Sequence, residues 1–150
     1  MTTSGLRRRL TGRVAVALPP DEAYRLFTPR GEQAWAHGWS PRFPAPTDDD
    51  SVPGTVFTTD AHQQSATWIV VDSAEGRRIS YARLTDGMDA GTITVTLEAA
   101  EDGSAATVTY DLTALTETGE RHLTRFAERY PAFLRSWQDG IAASLAKDTA

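Results

Sequence analysis

Apolar and polar positions change period twice along the chain, and the elements follow from those changes. Between Leu10 and Leu18 the residues Leu10, Val14, Val16 and Leu18 alternate with Thr11, Arg13, Ala15 and Ala17, the two-residue period of a half-buried strand. Pro19-Pro20 ends it. Asp21 then opens a short helix whose apolar face is Ala23, Leu26 and Phe27, with Asp21 and Glu22 at the positive end of the helix dipole. Thr28-Pro29 reads as a cap followed by proline at the first helical position. It starts a second short helix that carries Trp35 and stops around His37-Gly38. The stretch 39–53, with Pro41, Pro44, Pro46, Pro53 and the run Asp48-Asp49-Asp50, reads as an ordered irregular loop with room for one short edge strand. Five β-rich runs follow at 54–60, 66–72, 77–84, 90–98 and 105–115, with turn formers including Glu75-Gly76, Asp86-Gly87 and Asp102-Gly103 between them.

Links this short favour hairpins and hence an antiparallel meander. Alternation puts Phe57, Trp68, Val70, Ile79, Tyr81, Ile93, Val95, Leu97, Val108, Tyr110 and Leu112 on one buried face. Thr92, Thr94, Thr96, Thr107 and Thr109 fall on the wet one. At 118–147 the period becomes helical. Leu123, Phe126, Ala127, Tyr130, Phe133, Leu134, Trp137, Ile141 and Leu145 form one stripe, while Arg121, Arg125, Glu128, Arg135 and Asp139 face away. Thr118 is placed to cap this helix, Pro131 to bend it near Ala127, and Gly140 to loosen it. A helix roughly 40–45 Å long needs a broad apolar partner, and the preceding strands are the only one in the chain. The expected fold is α+β: a curved antiparallel sheet of six or seven strands wrapped around the long C-terminal helix, with two short helices after the first strand. A curved sheet gripping one helix leaves space between them, so a cavity is the natural consequence.

Size and charge narrow the function classes. A chain of 150 residues suits one domain. A net charge of −5 gives no electrostatic footprint for nucleic acid, and no apolar run approaches membrane-spanning length, so neither a nucleic-acid partner nor stable membrane insertion is expected. Arg7, Arg8 and Arg9 read as a solvated lead-in to the first strand. The absence of cysteine removes disulfides, thiol nucleophiles and thiolate metal sites. The first residues lack the apolar core of a signal peptide, which makes the cytoplasm the default location.

The residues 14–24 at the first strand-to-helix junction, the tryptophan-proline region 35–41, Gly54-Thr55-Val56-Phe57, Gly76-Arg77-Arg78-Ile79-Ser80-Tyr81 and the terminal segment with Tyr130 and Trp137 together resemble the START/polyketide cyclase-dehydrase superfamily, also called SRPBCC. The resemblance runs from about Leu10 to Leu145 and rests on marks of fold, not of chemistry. It implies the helix-grip fold and a deep, mainly apolar cavity for a small hydrophobic or amphipathic molecule, such as a lipid or an aromatic compound. Members range from lipid carriers to polyketide cyclases and ATPase-activating co-chaperones, so function has to be argued from the site.

The candidate wall of such a cavity is Trp35, Trp39, Phe57, Trp68, Tyr81, Tyr110, Phe126, Tyr130, Phe133 and Trp137, where rings stack on a ligand and a tyrosine hydroxyl or indole N–H orients it. Arg83 is in phase with Ile79 and Tyr81 and would offer a guanidinium to a carboxylate or carbonyl. Asp60 and His62 are two apart, but a metal site needs a third ligand and neither His37 nor His122 can be placed beside them, so no metal or other cofactor is expected. The Asp48–Asp50 run lacks the alternation and glycine of a calcium loop. Ser40, Ser65, Ser80 and Ser136 stand in no nucleophile elbow, and no glycine loop cradles a phosphate. If the protein catalyses a cyclisation or dehydration, cavity groups such as Tyr81, Tyr110 or Asp60 would carry it, and the sequence singles out none. Binding of a small molecule, catalysis in the same cavity, and a protein-interaction module are thus the three readings, for a monomer or homodimer.

Overall fold

A computed structural model describes residues 5–61 and 64–148. The strand β1 (Arg7–Val16) leads into α1 (Pro20–Tyr24) and two 3-10 turns, Arg25–Phe27 and Gly31–Ala34. The strands β2 (Val56–Ala61), β3 (Gln64–Ala74), β4 (Arg78–Thr85), β5 (Asp89–Ala100) and β6 (Gly103–Ala114) follow, and α2 (Glu117–Asp148) closes the chain. The six strands form one antiparallel sheet in the order β1-β6-β5-β4-β3-β2. The meander closes when β1 adds to β6, and a bulge between Val70 and Asp72 disturbs the β3–β4 register. This is the helix-grip arrangement, with all eleven of the expected inward residues buried.

Helix α2 does not lie over the middle of the sheet. It packs on β1 and β6, at one edge. Gly12 on β1 permits this, since a Cβ there would stand 2.5 Å from Leu134 Cδ1. The Tyr130 hydroxyl donates to the Val108 carbonyl at 2.7 Å, and Gln138 Oε1 accepts from the Ala15 N–H at 2.8 Å. At the start of α2, a Cβ on Gly119 would fall 1.9 Å from the Met88 carbonyl oxygen. The helix therefore rests backbone to backbone on the β4–β5 turn. Near its other end, a Cβ on Gly140 would approach the Trp35 carbonyl oxygen to 2.8 Å.

Four local expectations are corrected. Thr116, not Thr118, caps α2: its hydroxyl accepts from the Gly119 N–H at 2.9 Å and donates to the Gly87 carbonyl at 2.6 Å, which ties the cap to the turn beneath. The helix passes Pro131 without interruption. Pro131 is on the exposed side, where water can solvate the Ala127 carbonyl that the ring leaves without a donor. The expected second helix is a single 3-10 turn, ended at Trp35 by φ −137°. The loop 39–53 holds no strand, only an isolated bridge between Arg42 and Thr58.

Because α2 contacts Met88 through its bare backbone, Gly119→Ala should lower stability by about 1–3 kcal/mol, opposite in sign to the usual gain for glycine to alanine inside a helix. Chemical denaturation monitored by circular dichroism checks this, and a stabilised variant would show that the two backbones do not touch.

Candidate functional site

Since α2 sits over β1 and β6, the inner faces of β3, β4 and β5 are left for the segment 32–39 to cover, and the cover is incomplete. A cavity of about 720 Å³ remains between sheet, helix and segment. On α2 it is lined from His122 through Phe126, Phe133 and Trp137 to Gly140, a run of about 27 Å at 1.5 Å per residue. Exposed residues His37, Gly38, Gln64 and Ser136 mark its opening.

Of the expected wall residues, Trp35, Trp39, Trp68, Tyr81, Arg83, Tyr110, Phe126, Phe133 and Trp137 line this space. Two do not reach it. Phe57 is sealed behind Trp68, stacked at 5.5 Å between centroids, and Tyr130 is held against β6 by its bond to Val108. The orienting handles assigned to the rings are mostly engaged elsewhere. Trp35 and Trp39 donate their indole N–H to the carbonyls of Leu26 and Pro29 at 2.8 and 2.7 Å, and Trp68 donates to Thr59 Oγ1 at 3.0 Å. The Tyr81 hydroxyl donates to the Phe27 carbonyl at 2.7 Å. These bonds fix the rings and tie the first helical segment to the sheet. Among the described residues the Tyr110 hydroxyl has no such partner, and burial pushes its ionisation well above the usual tyrosine range.

Arg83 is placed by the sheet register. The row Trp68, Arg83, Gly91 and Leu112 crosses β3 to β6, and Gly91 contributes no side chain to it. The guanidinium lies 5.4 Å from the Trp68 ring centroid and 5.9 Å from that of Tyr110. Part of the guanidinium is engaged inside the wall. Its Nη2 donates to Asp89 Oδ1 at 3.0 Å, and the Asp89 side chain is 2% exposed. Arg83 Nε is buried with no hydrogen-bond acceptor. Asp89 escaped the sequence reading because it follows the Asp86-Gly87 turn, although its two-residue phase with Ile93, Val95 and Leu97 points it inward.

Glu32 was also missed. It stands three residues before Trp35, and on a 3-10 turn that spacing puts both side chains on one side. Both line the cavity, and no hydrogen bond or ion pair to the Glu32 carboxyl is present among the described residues. Glu32 is half-buried, and protein packed around it reduces its solvation, which shifts its ionisation well above the usual carboxylate range. Helical phase with Phe126 would have found His122.

Asp60 takes no part in the cavity: it accepts from Ser65 Oγ at 2.5 Å and lies 3.4 Å from Arg42 on the exposed edge. His62 lies outside the described residues. No group of three potential metal ligands occurs among those described. In the acidic run, Asp50 accepts from the Arg30 N–H at 2.7 Å and Asp49 accepts from Ser51, so the run holds the loop beside the cavity cover.

Solved structures share this architecture. A protein of Mesorhizobium loti superposes with a TM-score of 0.65 at 15% identity, over 91% of this chain and 98% of the other. The Aha1 dimer of Colwellia psychrerythraea gives 0.63 at 16%, over 89% and 96%. DynU16, a protein in the dynemicin biosynthetic locus, gives 0.62 at 16%, over 87% of this chain but 46% of that one. At such identities the likeness is one of fold. No protein-family model and no curated protein sequence matches the chain.

Because Glu32 binds its proton more tightly in the folded chain, stability it contributes is full below the unfolded pKa near 4.5 and falls as pH rises toward the raised folded value. Glu32→Gln removes the group. The difference in unfolding free energy between wild type and Glu32→Gln should therefore move in favour of the variant as pH rises from about 4 to 8, measured by urea titration at each pH. A difference that stays constant would place the carboxyl in water.

Proposed function

We propose that the protein encloses a small amphipathic molecule between the sheet and α2, as the resemblance to the START/polyketide cyclase-dehydrase superfamily implies. The observation that carries this reading is the cavity of about 720 Å³, within the range of small-molecule sites and with eight Trp, Tyr and Phe rings among its lining residues. Trp35, Trp39, Phe126, Phe133 and Trp137 would flank the apolar body of the ligand, and Tyr110, Arg83 and Glu32 would meet its polar groups.

A specific observation favours a second reading, a polyketide cyclase/dehydrase-like catalyst acting in the same cavity. Ionisable groups converge on one void: the Arg83–Asp89 pair, the Tyr110 hydroxyl and the Glu32 carboxyl. A carboxyl whose ionisation is shifted upward by burial holds its proton more readily, and can donate it to a substrate carbonyl and take a proton back, the role required of a general acid and base in enolisation. The interaction-module reading finds its support on the outer face, where Val56 and Ile69 are register partners and lie, with Val71 and Leu84, among the exposed large apolar side chains.

All four tryptophans line the cavity, so energy transfer reports occupancy directly. The neutral dye N-phenyl-naphthylamine should quench tryptophan emission on binding. Ala66→Trp, which fills part of the space, should weaken binding by about tenfold, whereas Tyr130→Phe should leave affinity unchanged. Equal affinities for wild type and Ala66→Trp would locate the dye outside the cavity.

A further inference from the structure

The charge inventory of the cavity points past a merely apolar occupant, on the condition that the ligand-binding reading holds. Arg83 and Asp89 neutralise one another at 3.0 Å, and the buried Nε of Arg83 presents no surface to the void. Glu32 is then the lining acid with no ion-pair partner among the described residues. The cavity it lines is also lined by the rings of Trp35, Trp39, Trp68, Phe126, Phe133 and Trp137.

We propose that the cavity selects hydrophobic organic cations, amines or quaternary ammoniums on a bulky apolar body, with the charge held between the Glu32 carboxylate and the surrounding aromatic faces. Aromatic walls closing on a single carboxylate are the chemistry that recognises such cations, because each ring face is electron-rich and the carboxylate supplies the counter-charge. An acidic ligand finds the reverse. Its carboxylate would meet a guanidinium already paired and a second carboxyl opposite, and would lose its hydration without compensation. Burial disfavours the ionised carboxyl of Glu32. A cation entering beside it favours the ionised form, so its binding is coupled to release of a carboxyl proton to solvent and the cavity remains electrically balanced.

The other groups facing this region do not supply that counter-charge. Tyr81 on β4 donates to Phe27, and Tyr110 on β6 stays neutral because burial raises its ionisation. His37 lies at the opening and His122 on α2, and neither is an anion at any accessible pH.

Three probes of one shape separate the possibilities: adamantyltrimethylammonium, adamantylmethanol and adamantanecarboxylate, titrated into the full chain and read by tryptophan emission and calorimetry. The quaternary cation should bind about tenfold or more tighter than the alcohol, and the carboxylate more weakly than either. Glu32→Gln should erase the advantage of the cation over the alcohol. Proton release on binding the cation, seen as a dependence of the heat on buffer, should disappear in the same variant. If the alcohol binds and the cation gains nothing over it, or if Glu32→Gln retains the preference, the cation assignment fails while the binding reading survives. If none of the three binds, both fail.

Discussion

The structure depends on where α2 is allowed to come close. Three of its close approaches to the rest of the chain involve glycine: Gly119 against the Met88 carbonyl, Gly12 of β1 against Leu134, and Gly140 against the Trp35 carbonyl. At each, a single added methyl would meet another atom at less than van der Waals distance. The contacts on β1 and β6 hold the helix to one edge of the sheet, and those at Met88 and Trp35 set its ends. With the helix so fixed, the inner faces of β3 to β5 have no close-packed partner, and the ring-bearing segment 32–39 covers them only in part. The cavity is thus in large part a consequence of helix placement.

The same geometry determines which polar groups the cavity keeps. Indole and phenol donors are consumed in fixing the chain: Trp35, Trp39 and Tyr81 all donate to carbonyls between Leu26 and Pro29, tying the first helical segment into the core. Rings fixed in this way can offer faces to a ligand but few donors. Charge in the wall comes from elsewhere, from a diagonal Arg83–Asp89 pair across the β4–β5 hairpin and from one carboxyl on a 3-10 turn.

Much of the fold was legible because period carries it. Two-residue alternation put all eleven inward sheet residues on the correct face, and helical spacing identified the stripe of α2 down to Ile141 and Leu145. Short turns implied the meander, and the β1–β6 pairing is what remains for a strand that needs a partner. The candidate site was legible only for its apolar part. Which rings line a void and which are buried behind others is decided by layers, as Phe57 behind Trp68 shows, and periodicity says nothing about layers. Glu32 and Asp89 were hidden for a different reason: each follows a turn or cap signal, and turn chemistry is a sufficient explanation for an acidic residue until its direction is known. The helix cap moved from Thr118 to Thr116 because the Thr116 hydroxyl reaches Gly87 in a distant turn, a contact that no local pattern encodes.

The account stands on open, largely apolar space between α2 and the strands β3 to β5, and xenon reports such space directly because it enters apolar voids without needing a specific contact. Crystals held under xenon should show noble-gas density bounded by Trp68, Tyr110, Phe133 and Trp137. Side chains filling that region, with xenon confined to the surface, would contradict the account and leave a helix-grip protein with a solid interior.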